Sequence, residues 1–163
     1  MKEITLYGKL ANGHVALVDD EDYELVNQYR WHVIQEPKHR TLYAGYTVYK
    51  DGQWSGLRMH NLIMGVKGID HKDHDGLNNQ RSNLRVATQR QNGASRQANQ
   101  HGTSQLKGVY WDKDAGKWRT SIRVNGRLHN LGRFDDELEA KRVYDAAALE
   151  YFGEFAFAGS QCR

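Results

Sequence analysis

Residues 58–92 read RMHNLIMGVKGIDHKDHDGLNNQRSNLRVATQRQN and form the densest polar cluster of the chain. Hydrolysis of a phosphodiester needs a base that works near neutral pH and a cation that neutralises charge on the leaving oxygen. Histidine is such a base. A carboxylate with an amide oxygen is a hard-donor pair suited to Mg²⁺ or Mn²⁺. Asp70, His71 and Asn92 contain that set. Neighbours on a strand point to opposite faces. Asp70 and His71 therefore serve one site only if a bend or strand end lies beside them, which Lys67-Gly68 and Asp75-Gly76 allow. Taken alone, GLNNQRSN is also ordinary loop chemistry, and an isolated Asp-His pair carries little meaning.

Upstream, residues 1–57 read as short strands, EITLYG, HVALVDD, WHVIQ and TLYAGYTVYK, broken at Asn12-Gly13, Pro37 and Asp51-Gly52. Tyr23, Val26 and Tyr29 suit one short helix over residues 21–29. His14, His32 and His39 are scattered and read as structural or surface residues. Downstream, QRQNGASRQANQHGTSQ (89–105) has only Ala94 and Ala98 apolar. After a short helix around Ala87–Asn92 it reads as a linker, because it cannot bury a core. Arg90 and Arg96 would let it lie along a phosphate backbone.

Residues 106–134 return to strand patterning. In KWRTSIRV (117–124), Trp118, Thr120, Ile122 and Val124 share one face, and Lys117, Arg119, Ser121 and Arg123 the other. Asn125-Gly126 is a two-residue hairpin turn, and RLHNLGRF is its return strand. Asp135-Asp136 then offer a helix N-cap, and Leu138, Ala140, Val143, Tyr144, Ala147, Ala148 and Tyr151 form a helical apolar stripe ending at Gly153. The expected unit is a three-stranded sheet backed by one helix.

The 163 residues allow one ordinary domain or two small ones. A single cysteine, Cys162, excludes an internal disulfide and a zinc site of paired cysteines. No apolar run approaches the ~20 residues of a membrane span, and the opening MKEITLYGK lacks a secretion signal, so a cytoplasmic protein without a membrane partner is expected. The net charge of +3 is unevenly spread. It is −2 over residues 1–57, +4 over 58–104, +5 over 105–134 and −4 over 135–163. The positive middle attracts phosphate backbones through counterion release.

The run MHNLIMG…IDHKDHDGLNNQRSNLRVATQRQN resembles the HNH endonucleases of the phage and intron homing type. Their core is a two-stranded ribbon and a helix that pinch one metal ion, the ββα-metal fold. The resemblance implies that Asp70 is the first metal ligand and His71 the general base. It implies that Asn83 braces the loop and orients that histidine, and that Asn92 is the second ligand. His60 also matches the family; a phosphate contact and a buried structural histidine remain open for it. Asp73 and His74 sit in the family's turn, where His74 replaces a small residue, and neither is assigned to catalysis. Arg81, Arg85 and Arg90 would hold phosphate or contact the backbone non-specifically. The mechanism implied is one-metal hydrolysis, with Mg²⁺ or Mn²⁺ as the cofactor.

Residues 106–157 resemble the plant Apetala-two (ethylene-response-factor, ERF) domain through Lys107-Gly108-Val109, Lys117-Trp118, Ile122-Arg123, Leu131-Gly132, Phe134 and the Glu139-to-Ala148 helix. That family lays its sheet in the DNA major groove. The resemblance implies that Lys117, Arg119, Ser121 and Arg123 face DNA with Tyr110 and Asn130, that Lys107 and Arg127 join them, and that Trp118 and Tyr144 pack in the core. The tryptophan and arginines of the plant reading face are partly replaced here, so their target sequence does not carry over.

The expected fold is α+β: an N-terminal β-rich segment (1–57), an HNH core (58–95), a linker (96–105), an ERF-type domain (106–157) and a tail (158–163). The expected function is homing-type cleavage of double-stranded DNA by a monomer, with a dimer left open. The alternative is a sequence-specific DNA-binding regulator with an inactive HNH core. A third reading, an RNA- or protein-interaction domain, has only aromatic and basic composition behind it.

Overall fold

A computed structural model of the chain describes residues 1–35, 41–95 and 103–157. Arg96, His39 and Cys162, with most of the expected linker and the tail, lie outside the described residues. The fold is α+β, built from small antiparallel sheets, and it divides into two compact units, Met1–Ala87 and Thr88–Arg163.

In the first unit, β1 (Lys2–Thr5) pairs with β2 (Val15–Val18). A 3-10 turn (Asp20–Asp22) leads into α1 (Tyr23–Val26), a shorter helix than the 21–29 stretch expected. β3 (His32–Gln35), β4 (Leu42–Lys50) and β5 (Gln53–Arg58) form a three-stranded sheet in that order. Asp51-Gly52, both at positive φ, make the β4–β5 turn, and the strand after it was not anticipated. Next come α2 (Met59–Met64), stopped by Gly65 in the left-handed conformation, and the ribbon of β6 (Ile69–His71) and β7 (Leu84–Val86).

Ile4, Val18, Val26, Trp31, Ala44, Met59, Ile63, Ile69 and Leu84 belong to one buried cluster. The N-terminal strands and the ribbon of the HNH stretch therefore share a core. Trp31 is fully buried, and its indole N–H donates to the Val26 carbonyl at 2.8 Å, so the ring is packed without an orphaned donor.

The second unit opens with α3 (Gln89–Ser95), so the helix expected to complete the nuclease core is grouped with this unit. β8 (Val109–Asp112), β9 (Lys117–Val124) and β10 (Arg127–Phe134) form a sheet with β9 central. Asn125 and Gly126 take positive φ of 51° and 80°, as a tight hairpin turn requires. α4 (Glu137–Phe152) is capped by Asp136, whose carboxylate accepts from the Glu139 N–H at 2.8 Å. Its buried face is the narrow stripe Ala140, Lys141, Tyr144 and Ala148. Leu138 and Tyr151, expected on that stripe, are 52% and 45% exposed, because small residues let α4 lie close to the sheet without them. Gly108 shows how close: a Cβ there would stand 2.1 Å from the Tyr144 ring.

Candidate functional site

β6 carries Asp70 and His71 in successive positions, and β7 faces them with Arg85 and Leu84. A bend over residues 65–67, with Gly68 at φ 79°, leads into β6, and the strand ends at His71. Within it the side chains keep the alternation of a strand. Asp70 lies on Arg85, whose Nε and Nη2 donate to its Oδ2 at 2.9 and 2.7 Å. His71 points the other way and is 5% exposed.

Around His71 stand two rings from distant parts of the chain. His60, on α2, meets it edge to face with centroids 5.1 Å apart. Tyr43, on β4, lies 5.9 Å from His71 and 5.8 Å from His60. The remaining partner is Asn79, fully buried, whose Oδ1 lies 3.4 Å from His71 Nε2. The Asn79 amide nitrogen donates to the Leu77 carbonyl at 3.0 Å, which fixes which way the amide faces. An amide oxygen only accepts, so Nε2 carries the proton and Nδ1 is left as the basic nitrogen. Burial lowers the His71 pKa, against the Asn79 hydrogen bond and the carboxylates of Asp73, Asp70 and Asp75. The imidazole is thus neutral at neutral pH. Burial, followed by the fields of His71 and Arg58, pushes His60 down to about 3.

The loop between β6 and β7 is held by side chains. Asn83 donates to Asp73 Oδ1 (2.9 Å) and to the Asn78 carbonyl (2.8 Å), and accepts from the Asp73 N–H (3.1 Å). Asp73 Oδ2 also accepts from Asn78 (2.7 Å), which makes it a hub of the turn rather than a reacting group. His74 adopts φ 64° in this turn. Gly76 lets the loop touch β4, since a Cβ there would stand 2.3 Å from the Leu42 carbonyl and 2.5 Å from the Tyr43 ring. Asn83 thus braces the loop, while the direct partner of His71 is Asn79.

Of the arginines, Arg81 grips the buried Asp22 through Nε (2.8 Å) and Nη2 (2.7 Å), and donates to the Ile63 carbonyl (3.2 Å). Its guanidinium is a clamp within the unit. Arg90 donates to Asn125 at 3.0 Å.

Among the described residues, no cluster of three His, Cys, Asp or Glu marks a metal site. The donor chemistry nevertheless fits a hard cation. The Asn92 amide oxygen is buried and accepts no hydrogen bond, an arrangement that is costly unless something else supplies positive charge. Asp70 offers a carboxylate. The ion pair with Arg85 already neutralises part of its charge.

In the second unit, Lys117, Arg119, Ser121 and Arg123 share the side of β9 opposite the one that carries buried Thr120 and Ile122. Lys117 pairs with Asp135 at 3.1 Å, Tyr110 and Ser121 hydroxyls are 3.4 Å apart, and the Arg119 guanidinium lies 5.7 Å over the Tyr110 ring. Arg119 Nε is buried with no hydrogen-bond partner. Arg123 donates to the Gly126 carbonyl at 3.1 Å, and Asn130, opposite Ser121, is exposed; Arg127 is exposed too but pairs with Val124, on the other side of the sheet. Lys107 instead turns inward: its ammonium donates to the Ala94 carbonyl and lies 5.5 Å from the Phe157 ring. Tyr144 is buried in the core, whereas Trp118 is half-buried against Trp111, with centroids 5.0 Å apart. Arg133 joins the face opposite Arg119 and pairs with Asp112 at 2.8 Å. It was missed because the register slips at Leu131, between Asn130 and Gly132, and reverses the alternation. The Leu131-Gly132 pair was the available signal.

Two family models match the chain: an HNH endonuclease model over residues 65–94 and an AP2 domain model over residues 104–154. An uncharacterized HNH endonuclease of Acanthamoeba polyphaga mimivirus is 31% identical over 161 residues, covering 93% of this chain and 78% of the relative. Protein 3.8 of Escherichia phage T7 is 35% identical over 88 residues, covering 54% of this chain and 72% of the relative. No solved structure matches.

Proposed function

The chain belongs to the HNH endonuclease family, and from that premise we propose that it is a metal-dependent endonuclease of the homing type. It hydrolyses phosphodiester bonds of double-stranded DNA, and its C-terminal sheet supplies the site preference. The observation that carries this reading is the buried, neutral His71, fixed by Asn79 in a loop that Asn83 braces. Nδ1 of His71 takes a proton from water, the oxygen of that water attacks phosphorus, and the 3′ oxygen leaves. A phosphate lying across the end of β6 reaches both faces of the ribbon, which is how Asp70 and His71 serve one reaction. Asp70 and Asn92 would hold one divalent ion, Mg²⁺ or Mn²⁺, which when bound neutralises charge on the leaving oxygen.

Arg119, Arg123, Ser121, Tyr110, Asn130 and the added Arg133 face the major groove, with Lys117 and Arg127 on phosphate. One site per chain makes a nick, in keeping with a monomer. A second reading, a DNA-binding regulator with a silent nuclease core, is favoured by one observation, the Asp70–Arg85 ion pair. Supercoiled plasmid separates the two. Relaxation with Mg²⁺ or Mn²⁺ that EDTA abolishes supports the nuclease, and metal-independent binding without relaxation supports the regulator.

A further inference from the structure

Three carboxylates stand on the β6–β7 ribbon and its loop, and they are held in two different ways. Asp73 accepts from the Asp75 N–H at 2.9 Å and from the side chains of Asn78 and Asn83. Asp75 accepts from the Leu77 N–H at 2.9 Å. Those bonds build the turn and cannot be given up without opening it. Asp70 is gripped instead by the end of a long side chain. Nε and Nη2 of Arg85 converge on the same oxygen, Oδ2, and each of the two side chains is 13% exposed. The ribbon sets the pair directly opposite one another, and Asp70 sits between buried Ile69 and His71. A guanidinium can leave such a bond by turning about its own side-chain torsions, with the strands unmoved.

A divalent ion at Asp70 would compete with Arg85 for one carboxylate. Ionic groups enclosed to this degree are costly to leave without a counter-ion. A cation arriving alone therefore gains Asp70 but strands the guanidinium. A DNA phosphate arriving with it offers that fork a second anion of matching, bidentate geometry. We propose that Arg85 is a latch, which occupies Asp70 in the DNA-free chain and passes to a DNA phosphate when metal and duplex bind together. Metal and DNA affinities are then coupled, and by linkage each raises the other by the same factor. The ion pair that would silence the site in a DNA-binding regulator instead ties metal loading to the presence of DNA. The latch rests on the metal-dependent nuclease reading, but its test reads binding and needs no cleavage.

The test uses the full-length chain carrying His71→Ala, which leaves the duplex intact, with and without Arg85→Gln. Mn²⁺ binding without DNA, read from the free-ion signal in electron paramagnetic resonance, should be at least about five-fold tighter with Arg85→Gln. Mn²⁺ should tighten binding of a labelled duplex about five- to 150-fold where Arg85 is kept, the span of a typical coupling free energy, and at least about five-fold less with Arg85→Gln. If Arg85→Gln does not fold, Arg85→Lys, which keeps the charge but loses the fork, takes its place with the same signs. Weaker Mn²⁺ binding in the variant would make Arg85 an orienting support of Asp70 and overturn the latch. So would an equal effect of Mn²⁺ on duplex affinity in both chains. An equal gain in Lys72→Gln, which removes a nearby ammonium bonded to the Ser82 carbonyl, would overturn it too, as a change of local charge alone. Absence of Mn²⁺ binding in every chain, with duplex or without, would count against the metal reading itself and overturn the latch with it.

Discussion

The imidazole of His60 meets that of His71 edge to face, with centroids 5.1 Å apart and planes at 82°. Both rings are neutral by burial, and the chain gains from keeping them so. The folded-state pKa of His60, about 3, lies below its ordinary 6.5. The proton therefore prefers the unfolded chain. Stability is complete above pH ~6.5 and falls as pH drops from there toward ~3. Urea unfolding at pH 7.5 and pH 5 should show this loss, and His60→Phe, a ring that cannot titrate, should flatten it. Parallel losses in both proteins would contradict the assignment.

Asn79 has no access to solvent and holds His71. Asn79→Ala should cost about 1–3 kcal/mol of stability through the orphaned imidazole N–H; the Leu77 carbonyl keeps the Leu17 N–H as a donor. It should also lower the nicking rate at saturating DNA more than it raises the apparent KM, because the tautomer is no longer enforced. Asn83→Ala, in contrast, should loosen the whole turn; a proteolytic cut within residues 72–82 would report it.

Arg81 and Asp22 tie the site's loop to the turn before α1. Arg81→Ala leaves a buried carboxylate with one cation fewer and should destabilise by about 1–3 kcal/mol, less than a fully buried pair because Arg81 is itself half-exposed. Its DNA affinity should stay within about two-fold at equal folded fraction. A large loss of affinity in folded protein would restore Arg81 to the phosphate.

Gly108 takes φ 75° beneath the Tyr144 ring. Gly108→Ala should destabilise the second unit, which carries both the reading sheet and Asn92, by about 2 kcal/mol or more, and so weaken DNA binding. Arg123→Ala, on the reading face, should weaken DNA binding by about 1–3 kcal/mol if it reads a base. Anisotropy titrations measure both.

The local signals were legible. Asn125-Gly126 turns the hairpin, Asp136 caps α4, and the alternation of β9 separates Ile122 from Arg119 and Arg123. What the chain hid was long-range. Tyr43 and His60 reach His71 only through the packing of β4 and α2, and neither strand pairing nor a six-residue helix announces that contact. The Arg81–Asp22 clamp spans 59 positions. Arg85 became the partner of Asp70 only once the β6–β7 register was known. A bulge reversed the face of Arg133, and Lys107, a motif residue, turned to the interior because Ala94 offers it a carbonyl.

Cleavage should depend on His71 as the base. Supercoiled plasmid, incubated with Mg²⁺ or Mn²⁺, should be nicked by the wild-type chain and at least a hundred-fold more slowly by His71→Ala, the contribution expected of a positioned base, with both proteins equally folded. Equal nicking by the variant, or none by the wild type with either metal, would contradict it.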